Sequence, residues 1–175
     1  MPLQNLSPSA ILGSQGWHTR LAARMATRGE RSIVLFVWGT WAVMFLVALA
    51  AVVIYGRNIP FAEDWLLVPP LTGNEPSLFA WIWTQNSEHL VPLPKAIFLL
   101  LLSLTGGDFR VGMVFDTLLL GTLAAGMILV ARHLRGGQIS VTDAFFPIVL
   151  LHIGHWDNLL WSWEIQFVLS TALTG

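Results

Sequence analysis

The 24 residues from Ser32 to Tyr55 carry no charged side chain. At ~1.5 Å per residue a helix of that length reaches about 36 Å, enough to cross a bilayer with some tilt. A second run, Val111 to Ala131, holds 21 residues with a single charge, Asp116. Composition agrees: 55% of the residues are hydrophobic and only 11% are charged, where a soluble domain carries roughly 25%. A soluble core of this size does not hide that much apolar surface. The expectation is an all-α, polytopic transmembrane helical bundle in the cell (inner) membrane, with the lipid bilayer as its first partner. Nine tryptophans and ten phenylalanines against one tyrosine suit helices that meet a bilayer interface. A net charge of −1 offers nucleic acid no footprint. With no cysteine in the chain, disulfides and thiolate metal sites are excluded.

Orientation follows from arginine. Residues 1–31 are polar, with Arg20, Arg24, Arg28 and Arg31 against Glu30 alone, and read as a mobile cytoplasmic tail. Arg132, His133 and Arg135 follow the second run at once. Positive charge therefore flanks the start of the first span and the end of the second, which places both clusters inside and residues 56–110 outside. Ala48-Leu49-Ala50 resembles a signal cleavage site, but the polar stretch before it is long for a signal and the apolar run continues past it. The first span reads as an uncleaved anchor.

A third apolar stretch, 141–156, is short and carries Pro147, which predicts a bent or broken helix. His155-Trp156-Asp157-Asn158 interrupts it. A fourth run, 159–175, holds Glu164 and Gln166 and has no closing loop or basic flank, so it reads as an incomplete span of a longer protein. His152 and His155 share one face if the helix continues, a spacing compatible with a metal. Asp116 lies near the outer N-terminal end of the second span. An intramembrane charge is a functional candidate, and the helix dipole also tolerates an anion there.

The outer loop has structure of its own. Ser77 is placed to cap a helix through Leu78-Phe79-Ala80-Trp81-Ile82-Trp83, too short and too aromatic to span, which should lie along the membrane surface. Pro92 and Pro94 precede a second short apolar helix over Ala96–Leu104, re-entrant or surface-lying, that Thr105-Gly106-Gly107 ends. Between these pieces fall Glu63-Asp64, Glu88-His89, Lys95, Asp108 and Arg110. Adjacent carboxylates beside a membrane can serve as a general base or hold a metal. Each group also has a plain reading: a hydrated acidic pair, a helix end in water, and basic anchors that snorkel to the interface.

The order of these pieces resembles the membrane-embedded GT-C glycosyltransferases, which take sugars from polyprenyl-phosphate donors. The acidic motif is Phe61-Ala62-Glu63-Asp64-Trp65. A His and Pro element, Glu88-His89-Leu90-Val91-Pro92-Leu93-Pro94-Lys95, leads into the short helix, and Thr105-Gly106-Gly107-Asp108-Phe109-Arg110 opens the next span. The resemblance covers residues 32–135 and continues more loosely through Asn158-Leu159-Leu160-Trp161. Many members have His-Pro-Pro directly, whereas Leu90 and Val91 here separate His89 from Pro92.

The resemblance implies transfer of a sugar from a polyprenyl-phosphate-linked donor to an acceptor on the extracytoplasmic face. Asp64 would be the catalytic carboxylate and Glu63 its neighbour, with Lys95 and Arg110 on the phosphate. Glu88, His89 and Asp157 join the substrate-binding set. No cofactor is required, though a divalent cation near Glu63 and Asp64 stays open. Members are much longer, so this stretch by itself is expected to be inactive. The competing reading is a non-catalytic transporter or channel subunit with Asp116 and Glu164 lining a polar path.

Overall fold

The computed structural model describes residues 8–85 and 89–174, with side chains from Gly29 onward. Among the described residues the chain is helical with no β-strand. Helix α1 runs Pro8–Tyr55, 48 residues without a break. From Pro8 onward the polar N-terminal segment is thus helical. Its alanine, arginine, leucine and methionine are good helix formers, and proline suits a first helical position. Polarity alone does not unfold a segment.

Outside α1 the loop forms a 3-10 turn over Ala62–Leu67, then α2 (Val68–Leu71), α3 (Leu78–Ile82) and α4 (Pro92–Leu104). Ser77 caps α3 as expected, its Oγ accepting from the Ala80 N–H at 3.2 Å. Helix α5, Arg110–Leu134, covers the second apolar run. A left-handed glycine pair, Gly136 and Gly137 with φ 68° and 98°, then closes its C-terminus, where only glycine adopts that backbone without strain.

Beyond α5 the two further spans dissolve into short pieces. These are a 3-10 turn at Val141–Ala144, α6 (Phe145–Leu151), a 3-10 turn at Ile153–His155, α7 (Trp156–Leu160), a 3-10 turn at Ser162–Glu164 and α8 (Ile165–Thr174). The stretch is broken, as expected, but not at Pro147, which sits in the first turn of α6, where its missing N–H removes no bond. The helix stops instead at His152, whose ψ of 147° takes the backbone out of the helical region. His152 and His155 therefore do not share a continuous helix face, although their rings meet at 4.2 Å between centroids.

Two helical segments are long and apolar enough to cross a membrane, Gly29–Tyr55 and Arg110–Leu134. They pack along each other. The Trp41 indole N–H donates to the Gly121 carbonyl at 2.9 Å, and Phe45 stacks on Trp41 at 5.3 Å. Of the most apolar stretch of each segment, 11% is buried in the first and 39% in the second, so both leave most of their apolar surface uncovered. Three small cores lie along the pair. One at the loop end gathers Leu67, Trp81, Phe98 and Trp163, a middle one Ala48, Leu120, Ala124 and Leu159, and one at the far end Val37, Ile128 and Ala144.

Candidate functional site

The loop between α1 and α5 is tied at its base. Asn58 Oδ1 accepts from the Phe109 N–H at 2.8 Å, which holds the exit of α1 against the entry of α5. Three residues on, Phe61 is extended and Ala62 takes φ 46°. A left-handed non-glycine residue costs about 1–2 kcal/mol, and this one turns Glu63 and Asp64 inward. Leu67, fully buried in the loop-end core, holds the turn down while Trp65 and Leu66 stay exposed.

Asp64 is 1% exposed. Its two oxygens have different tasks. Oδ2 accepts from the Phe61 N–H at 3.1 Å, and the Asp64 N–H donates back to the Phe61 carbonyl at 3.0 Å. Oδ1 is buried with no partner. Burial pushes the carboxyl up to about 6; the Phe61 N–H opposes the shift and the neighbouring Glu63 adds to it.

Two more elements meet this turn. Asp116, in the second turn of α5, is fully buried and neither carboxylate oxygen has a partner. It lies past the first turn, so no free N–H of the helix end reaches it. The turn Ser162–Glu164 packs on α5 and on the Ala62–Leu67 turn. Its register is set by Ser162, whose Oγ donates to the Phe109 carbonyl at 2.6 Å. Gly112 makes that approach possible, since a Cβ there would stand 2.7 Å from the Ser162 Cβ. Gly112→Ala is therefore expected to push the turn off α5 and lower stability by about 1–3 kcal/mol, read as an earlier thermal unfolding midpoint. An unchanged midpoint removes Gly112 from this role.

The result is a convergence of unmet hydrogen-bonding capacity. The described residues hold five buried side-chain polar atoms without a partner: Glu63 Oε2, Asp64 Oδ1, both oxygens of Asp116 and Trp161 Nε1. Phe61 and Trp161 meet edge to face at 5.6 Å, so the acidic turn and the Trp161 segment share one boundary. Glu164 and Asp64 are the charges that bear on Asp116, and Asp157 and Glu63 bear on Glu164. Native proteins pair more than nine in ten of their buried polar groups. A cluster that does not is either strained or made for a ligand.

The cations named from sequence are not part of it. The Lys95 ammonium is buried and donates to the carbonyls of Trp81 (3.3 Å) and Thr84 (2.7 Å) and to Thr84 Oγ1 (3.1 Å), over the Trp81 ring at 5.1 Å. Those acceptors take its three protons. Lys95 braces the end of α3 against α4 and has no donor left for a phosphate. Arg110 pairs with Asp108 at 2.6 Å with half its side chain exposed, and the bonds from Arg110 hold the Asp108 carboxyl below its usual range. His89 is exposed and Asp157 lies at the rim, also exposed; Glu88 falls outside the described residues.

Among the described residues no three His, Cys, Asp or Glu side chains converge as a metal would require. This applies to His152 and His155 with Asp157 and to the Glu63 and Asp64 pair. Sequence reasoning named Asp116 and Glu164 for a polar path and not as neighbours of Asp64, and it did not single out Trp161, Asn58 or Ser162 as site residues. For the two acids the signal was an ionisable side chain inside an apolar run. Trp161, Asn58 and Ser162 gave none. The chain matches no protein-family model, no curated protein and no solved structure.

Proposed function

We propose that this chain is the membrane-embedded catalytic region of a glycosyltransferase. It would move a sugar from a polyprenyl-phosphate donor to an acceptor on the extracytoplasmic face, with Asp64 as the base. The observation that carries the proposal is Asp64 itself: one oxygen held by the backbone, the other buried and unpartnered, and an affinity for protons centred near pH 6. A carboxylate poised near neutrality suits removal of a proton from an attacking hydroxyl. The adjoining Asp116, Glu164 and Trp161 offer acceptors and one donor to a polyhydroxylated substrate. The exposed apolar faces of α1 and α5 support a bilayer around them, with α3 and α4 at its surface and the pieces beyond α5 as re-entrant or further spans. Arg110, at the outer rim and half exposed, is the cation best placed to exchange Asp108 for a lipid phosphate. Lys95 is left out of the site.

Asp116 and Glu164, buried together without a cation, also favour a second reading, a proton- or cation-conducting subunit. The two separate in one experiment. Membranes from cells expressing the complete reading frame are given a radiolabelled polyprenyl-phosphate sugar and scored for transfer. Cation flux is measured in parallel in liposomes, and a reporter at Asn74 reports sidedness. Transfer without flux, with Asn74 outside, is the expected outcome. Flux without transfer overturns the transferase, and a cytoplasmic Asn74 overturns outer-face chemistry.

A further inference from the structure

Far from the acidic cluster, where α1 enters and α5 ends, the two helices frame a cavity of about 420 Å³ with Glu30, Ile33, Val34, Trp38, Arg132 and Gln138 in its walls. The four α1 residues fall at positions i, i+3, i+4 and i+8, one face of the helix. Along that face the lining changes from charged at Glu30 to apolar at Trp38 over about 12 Å. Trp38 is held by its edge-to-face contact with Trp41 at 5.8 Å, and with Ile33 it packs on the far-end core of Val37, Ile128 and Ala144.

The polar end is exposed, and its arginine is tethered to the backbone. The Arg132 Nε donates to the Gly137 carbonyl at 3.0 Å in the left-handed glycine turn that closes α5. That bond fixes the guanidinium and leaves both terminal nitrogens without a partner among the described residues. Glu30 supplies the opposite charge at the same rim.

We infer that this cavity binds a glycerophospholipid whose head group carries a primary ammonium beside its phosphodiester. The phosphate takes the free Arg132 nitrogens in charge-assisted bonds, and the ammonium takes Glu30. The glycerol and upper acyl chain follow Ile33 and Val34 down to Trp38. A lipid with a lone negative charge meets repulsion from Glu30, and a choline head group has no N–H to donate to it. The inference rests on the membrane part of the proposed function and not on the transferase chemistry.

The test uses the chain purified in mild detergent, with native mass spectrometry of bound lipid after addition of phosphatidylethanolamine, phosphatidylglycerol or phosphatidylcholine at equal concentration. Phosphatidylethanolamine is retained best by the wild type. Arg132→Gln lowers its retention about tenfold and Glu30→Gln abolishes its advantage over phosphatidylglycerol, each change matching one charge-assisted contact. Equal retention of the three lipids by the wild type overturns the proposal without recourse to any variant. Displacement by free phosphoethanolamine as effective as displacement by the lipid overturns the lipid assignment, because the apolar half of the cavity would then contribute nothing. Extraction of membranes with alkaline carbonate separates the two layers of the argument. A chain released to the supernatant overturns the membrane reading and this proposal with it, whereas a chain that stays in the pellet but shows no head-group preference overturns the proposal alone.

Discussion

Asp64→Asn is expected to lower the rate of sugar transfer by about 10²–10⁴-fold, the usual loss when a general base is removed, while leaving insertion and helix content intact. The substitution preserves shape, and the amide oxygen of asparagine still accepts from the Phe61 N–H, now the partner of Oδ2 at 3.1 Å. What disappears is the basic oxygen. Glu63→Gln removes a neighbour whose charge raises the Asp64 pKa, so it should shift the pH profile downward more than it lowers the maximal rate. In the wild type, activity should rise as pH passes through about 6, where Asp64 loses its proton. Stability runs the other way. The folded state holds this proton more tightly than the unfolded chain, whose reference value is 3.8, so the contribution is present at acid pH and lost as pH rises through about 6. Transfer assays over pH 5–8 on wild type and both variants check all of this. Near wild-type turnover in Asp64→Asn, or an acid limb that the variant retains, removes Asp64 from the chemistry.

The apolar parts of the fold were legible in the sequence because their signals are local. A charge-free run of 24 residues that crosses a bilayer as a single segment must satisfy its backbone internally, as a helix, and Ser77, Pro92, Pro94 and the Gly106-Gly107 turn mark ends that the structure keeps within a few residues. The third apolar stretch is broken, as its proline leads one to expect, but at His152 and not at Pro147, which sits in a first turn where it interrupts nothing.

The site was legible only in half. Glu63 and Asp64 stand side by side and announce themselves, but their partners arrive from about 50 and 100 residues away in sequence, and no spacing rule connects them. Lys95 shows the same limit from the other side. A lone lysine before an apolar run reads as an interface anchor or a phosphate ligand, until the packing of α3 on α4 brings the Trp81 and Thr84 carbonyls to its ammonium.

Asp116 gives the sharpest separation between a structural and a functional charge. Its carboxylate is fully buried, neither oxygen has a partner, and the charges nearest in effect, Glu164 and Asp64, are of the same sign. A buried polar group left unmet costs the fold roughly 1–3 kcal/mol. A residue kept for the fold should not be so placed. Asp116→Asn keeps the volume and supplies an amide N–H₂ that can donate to Glu164 or Asp64. It is therefore expected to raise the unfolding free energy by about 1–3 kcal/mol, seen as a later midpoint in denaturant or thermal titrations of the detergent-solubilised protein. Asp116→Leu, which satisfies nothing but needs nothing, should gain in the same direction. Both variants should lose sugar transfer even as they gain stability. The opposite signs are the signature: a position that trades stability for chemistry improves the fold when neutralised and abolishes the reaction. If Asp116→Asn and Asp116→Leu instead lower the midpoint, the carboxylate has a partner in the folded protein and its role is structural. If they raise it and transfer continues unchanged, Asp116 lies outside the reacting site, and the acceptors offered to the substrate reduce to Asp64, Glu63 and Glu164.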